Sequence, residues 1–179
     1  QKTAYEIVSR DWSSDVCSSD LRAAMNSLSN EQVDDDTAAM LGWLDANDKV
    51  KPGPVGCVGH CMSGRYITTV AATFPHRIVA AASLYGVRIV TDEADSPHLG
   101  VGKIKAELYY AFAEHDAGVP ANVIPDLTAA LAKTDVKNTI KVLPDTHHGF
   151  QFAERAAYHT QASEQVWADM FGLWARHLK

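Results

Sequence analysis

The chain has 179 residues, 46% of them hydrophobic, and carries 16 Lys and Arg against 22 Asp and Glu for a net charge of −6. A mildly acidic balance with no basic stripe argues against nucleic acid as a partner. No run is long and apolar enough to cross a bilayer, and three cysteines are too few for a disulfide framework.

In chain order, the first segment is expected not to belong to the protein. Asp11 to Leu21 reads as the translation of a common sequencing-library adapter. Gln1 to Glu6 reads as the other end of the same adapter, and Ile7 to Arg10 fill the place of a sample index. Residues 1–21 are therefore set aside, and 22–179 are expected to be the C-terminal part of one domain. Without the charges of that segment the net charge is −4, and Cys57 and Cys61 are the cysteines that remain.

From Arg22 onward helices and strands alternate. Ser29 or Asn30 caps a helix through Asn47, with Val33, Thr37, Met40, Leu41 and Leu44 on its inner face. Asp34, Asp35 and Asp36 fall in its early turns, where acidic charge suits the dipole. Successive helical residues do not face one ligand, so these three read as a solvated face and not a metal cluster. Pro54 to Gly59 is a short apolar run bounded by Gly and Pro, as a parallel strand covered on both faces would be. A helix follows, with Tyr66, Ile67, Val70, Ala71 and Phe74 at helical spacing. Next come a strand over Ile78 to Leu84, a long polar loop around Thr91 to Gly100, and a strand over Glu107 to Ala113. A helix from about Ala121 to Lys133, a strand near Thr139 to Leu143 and an amphipathic helix with Val166, Met170, Leu173 and Trp174 on one stripe close the chain. Strands separated by helices mean crossovers, hence an α/β fold with a mostly parallel sheet and helices on both faces.

The chemistry concentrates at three strand ends. Gly59-His60-Cys61-Met62-Ser63-Gly64 sets one nucleophile among small residues where a strand turns into a helix. Such a turn holds the thiol clear of the sheet, at the positive end of the helix dipole. Asp116 follows the next-but-one strand and His148 the last, giving the nucleophile–acid–histidine order of the α/β-hydrolases. In these roles His148 would exchange protons with Cys61 and the leaving alkoxide, and Asp116 would steady the imidazolium. The Met62 backbone N–H would be one oxyanion donor. Rival readings are weaker. Cys57, inside the strand, reads as a small buried hydrophobe. A serine elbow at Ser63 needs Gly at 61 and 65, where Cys61 and Arg65 stand. Cys57, His60 and Cys61 lack a fourth zinc ligand at structural spacing. His147 competes with His148, but the following Gly149-Phe150 favours His148. His60 reads as a packing residue, and Glu114 and His115 as surface neighbours of the acid.

Here the chain resembles the dienelactone hydrolase family, a branch of the α/β-hydrolases. Gly59 to Arg65 is similar to its cysteine elbow, Leu84-Tyr85-Gly86 to the end of its next strand, Ala113 to Pro120 to its acid loop, and His148-Gly149-Phe150 to its histidine turn. The resemblance implies hydrolysis of a small lactone or carboxylic ester through a cysteine acyl-enzyme, with no metal and no cofactor. General carboxylesterase or thioesterase activity, or a non-catalytic binding role, are the alternatives. It also implies that Tyr85 lies near the substrate. Several strands precede the elbow in the family, and they carry a second oxyanion donor, a glutamate and a substrate-binding arginine. The chain is accordingly expected to be N-terminally truncated, to act on a small molecule with neither nucleic acid nor membrane as partner, and to work in the reducing cytoplasm.

Overall fold

Ser29 opens the helix that begins at Asn30, and its hydroxyl accepts from the Gln32 N–H at 3.1 Å while the Gln32 side chain accepts from the Ser29 N–H at 2.8 Å. This reciprocal capping box settles the choice between Ser29 and Asn30. The computed structural model describes residues 23–178, so the expected foreign segment at 1–21 lies outside the described residues. The elements are α1 (Asn30–Ala46), β1 (Val55–His60), α2 (Ser63–Thr73), β2 (Ile78–Leu84), a 3-10 helix (Pro97–Lys103), β3 (Glu107–His115), α3 (Val123–Leu131), β4 (Asn138–His147) and α4 (Thr160–His177).

The four strands form one sheet in the order β1-β2-β3-β4, and every neighbouring pair is parallel. Parallel pairing demands a crossover after each strand, which the helices supply. Alternation along the strands then divides the core. Ala81, Leu108, Tyr110 and Phe112 face one layer with Ile67, Val70 and Leu127, whereas Ala80, Ala82, Leu84, Tyr109 and Ala111 face Val166, Met170 and Leu173 of α4. Each fully buried large aliphatic contributes about 1.5–3 kcal/mol.

Four expectations need correction. Met40 is 61% exposed and does not face inward. The stripe that packs α1 on the body runs through Asn30, Val33, Thr37, Leu41 and Leu44, and Met40 falls one position off it. β1 is not covered on both faces: it lies at the sheet edge among the described residues, and Val58 is 37% exposed. The loop after β2 is not wholly irregular, because Pro97 starts the 3-10 helix. Finally, β3 and β4 run to His115 and His147, further than the apolar pattern suggested, and α3 starts at Val123.

Those longer strands have a positional consequence. Cys61, Tyr85, Asp116 and His148 are each the first residue after a strand; the register of His60 with Leu84 aligns the ends of β1 and β2, that of His115 with His147 aligns β3 and β4, and β3 runs on past Ala111, the partner of Leu84. In parallel α/β sheets this carboxyl edge is where ligands bind.

Candidate active site

The bend at Cys61 is made by local sterics. Cys61 has φ 54°, the left-handed region that ordinary side chains adopt at a cost, and it stays there because its neighbours fix it. Its N–H donates to Leu84 O at 3.0 Å, and its carbonyl accepts from Gly64 N at 3.0 Å and Val87 N at 3.2 Å. The Ser63 hydroxyl accepts from His60 N–H at 2.9 Å and donates to the His60 carbonyl at 2.8 Å, so Ser63 closes the turn from within. A Cβ on Gly59 would run into the Ser63 carbonyl oxygen and stand 2.8 Å from Ile67 Cγ2; one on Gly64 would stand 2.6 Å from Ser83 Oγ. Glycine is required at both places.

The structure brings Cys61, His148 and Asp116 together. His148 Nδ1 donates to Asp116 Oδ2 at 2.7 Å, since a carboxylate can only accept. With Nδ1 committed, Nε2 is the ring nitrogen left to interact with the Cys61 thiol. The hydrogen bond from His148 lowers the Cys61 pKa against the opposing effect of burial, and the Met62 N–H lowers it further. Hydrogen bonds to Asp116 and then to Cys61 raise His148 to about 9. Both shifts favour a thiolate–imidazolium pair. By contrast, burial pushes the Cys57 thiol up to about 12, which leaves it inert.

Other residues take clear places. His147 is exposed beside His115, ring centroids 5.1 Å apart, away from the acid that His148 engages. Glu114 is exposed and its carboxylate accepts from Asp145 N–H at 2.7 Å. Asp34 accepts from the Thr73 hydroxyl at 2.8 Å, tying α1 to α2. His60 packs its ring 5.7 Å from both Tyr85 and Phe152, and burial holds it below the ordinary histidine range. Tyr85 stands edge-on to His148, centroids 5.2 Å apart. Its hydroxyl is buried without a hydrogen-bond partner among the described residues, and burial raises its pKa. A neutral phenol at this depth is a donor available to a bound carbonyl or alkoxide.

Sequence reasoning missed Phe152 and Arg155, which the β4–α4 loop places beside His60, Tyr85 and Gly149. Their signal was faint: Phe150 and Phe152 alternate, but nothing in the sequence announces that Arg155 folds back over Gly149.

A parallel sheet with helical crossovers and with Cys61, Asp116 and His148 at the ends of β1, β3 and β4 has the α/β-hydrolase fold. A crystal structure from Klebsiella pneumoniae described as a dienelactone hydrolase superposes with a TM-score of 0.77 at 23% identity, over 85% of this chain and 64% of that one. The model of the dienelactone hydrolase family matches residues 7–178, and the chain belongs to that family. A Synechocystis relative described as a carboxymethylenebutenolidase is 29% identical over 161 residues, 88% of this chain and 65% of its own. A Bradyrhizobium protein described as a 2-oxo-3-(5-oxofuran-2-ylidene)propanoate lactonase is 20% identical over 151 residues, 82% of this chain and 60% of its own. The chain thus spans just under two thirds of the length of these relatives.

Proposed function

We propose that this chain is the catalytic part of a hydrolase that opens a small lactone or cleaves a carboxylic ester through Cys61. The observation that carries the reading is the relay from Asp116 through His148 to Cys61, with its 2.7 Å first link and opposite pKa shifts. In the first half-reaction the Cys61 thiolate attacks the carbonyl carbon, and the Met62 N–H stabilises the oxyanion. The intermediate collapses to a thioester as the C–O bond breaks, and His148 gives its proton to the departing alkoxide. In the second half, neutral His148 takes a proton from water as the oxygen attacks the thioester. Collapse releases the carboxylic acid and restores the thiolate–imidazolium pair. Asp116 holds the ring in the required tautomer throughout. Tyr85, whose hydroxyl is buried without a partner beside His148, is the side chain we assign to contact with the bound ester. No metal or cofactor enters any step, and a reduced thiol of this kind suits the cytoplasm.

Alkylation tests the reading directly. Iodoacetamide is expected to label Cys61 fast near neutral pH, with a lactone slowing the reaction and Cys57 unlabelled in the folded protein. Slow labelling, like that of an ordinary thiol, would favour a non-catalytic binding protein instead.

A further inference from the structure

We propose that Val87 is a positioning residue that braces the acid loop against the nucleophile bend, so that Asp116 keeps the orientation in which it holds His148. The inference deepens the hydrolase reading and rests on it.

Val87 lies three residues past Leu84, the end of β2, where the chain leaves the sheet between the strands that carry Cys61 and Asp116. Its main chain engages the first of these. The Val87 N–H donates to the Cys61 carbonyl at 3.2 Å, beside the Gly64 N–H at 3.0 Å, and so stitches the chain after β2 to the bend that presents the thiol. Both segments are strained: Cys61, Tyr85 and Arg88 have φ of 54°, 40° and 56°. Residues other than glycine stay in that region only where their neighbours over-determine them.

The Val87 side chain engages the acid loop. A Cβ on Gly118 would stand 2.9 Å from Val87 Cγ1 and 3.1 Å from Asp116 Oδ1. Gly118 is not among the glycines at positive φ, so its missing side chain serves this close approach and not the turn itself. The Gly118 N–H donates to Asp116 Oδ1 at 2.9 Å, while Oδ2 accepts from His148 Nδ1 at 2.7 Å. The Val119 N–H donates to the Asp116 carbonyl at 3.1 Å and closes the same turn. One carboxylate oxygen is thus held by the loop and the other by the histidine. Movement of residue 118 therefore turns the carboxylate and with it the imidazole, and small misplacements of reacting groups lower rates steeply. Half-buried Val87 is the side chain that blocks one such movement.

The test measures kcat, KM and the pH–rate profile on phenyl acetate for the full-length enzyme, for Val87→Ala, Val87→Thr and Gly118→Ala, and for the double variant with alanine at both positions. Asp116 and Cys61 are the groups that titrate against His148. Tyr85 meets its ring edge-on as a neutral phenol, and Arg155 crosses the neighbouring Gly149. None of these is altered, so a moved alkaline limb reports the Asp116–His148 contact. Gly118→Ala drives a methyl against Val87 and is expected to lower kcat roughly ten- to hundredfold with KM held, and to move the alkaline limb to lower pH. Val87→Ala removes the brace and is expected to lower kcat about three- to tenfold, with the limb moving the same way. Val87→Thr keeps the branched Cβ and is expected to recover most of that loss. In the double variant the added methyl has room, and kcat is expected to rise from the Gly118→Ala level to that of Val87→Ala. A Val87→Ala enzyme with wild-type kcat and limb, or a double variant no faster than Gly118→Ala, overturns the proposal. If Gly118→Ala does not fold, the comparison of Val87→Ala with Val87→Thr carries the test. Failure of the parent reading looks different: ester turnover would survive Cys61→Ala, whatever stands at position 87.

Discussion

His148 donates to Asp116 across 2.7 Å, and the two side chains differ in burial: the acid is 3% exposed and the histidine 29%. A carboxylate sealed from water acts on the ring with little solvent screening. Asp116→Asn is expected to lower kcat/KM by about 10²–10⁴-fold. The pH profile supplies the sign. Rate rises with pH as the Cys61 thiolate forms, then falls as His148 loses its proton at about 9. In the variant the alkaline limb moves to lower pH. Because the folded His148 pKa lies above its ordinary 6.5, the stability it contributes is complete below pH 6.5 and is lost as pH rises through about 9. An alkaline limb that stays in place in Asp116→Asn contradicts the assignment.

Gly59→Ala places a methyl against the Ser63 carbonyl and Ile67, with backbone on one side that cannot step aside. It is expected to cost about 1–3 kcal/mol of stability and to reduce Cys61 alkylation by disturbing the bend. Thermal unfolding and labelling rate measured together check both. A neutral substitution would mean the turn is looser than these contacts imply.

Much of this was legible from residue order alone. Small, apolar strands separated by amphipathic helices gave the parallel sheet, and the glycines around Cys61 gave the bend, because only a crowded crossing needs them. Asp116 and His148 could be chosen by position after a strand. What the sequence could not carry was tertiary. Met40 sits one step from the packed stripe of α1, and helical spacing alone cannot fix which of two adjacent apolar residues turns inward. The Phe152–Arg155 contact depends on a backbone turn at Gly149, and exposure of Val58 depends on which strands lie beside β1.

Glu107 is 6% exposed and meets Arg176 at 2.6 Å, His177 at 2.7 Å and Lys137 at 2.9 Å, fastening the end of α4 to the start of β3. Burial alone would raise its carboxyl, but the hydrogen bonds from Arg176, His177 and Lys137 hold it at about 2. The stability this adds is present above pH 4.5 and is lost as pH falls through about 2. Glu107→Gln is expected to cost about 1–3 kcal/mol at neutral pH, at the lower end because the cations are partly solvated. Melting curves of variant and wild type should converge near pH 2. A constant gap between them would rule out the charge as the cause.

Among the described residues β1 has a neighbouring strand on one side alone, and Val58 within it is 37% exposed. Such edges template association. The 179-residue chain expressed as it stands is therefore expected to be poorly soluble and inactive. Sedimentation and an ester assay test this, and a monodisperse, cooperatively unfolding, active product would contradict it. Amplifying the source genome across the Leu21–Arg22 junction tests the companion proposal that residues 1–21 are foreign: continuous coding DNA there would refute it.

The most direct measurement is ester turnover in the full-length enzyme with one cysteine removed at a time. Cys61→Ala is predicted to abolish turnover, whereas Cys57→Ala, which only trims the core beneath β1, keeps most of it. Equal activity in the two variants would contradict the claim that Cys61 is the attacking atom.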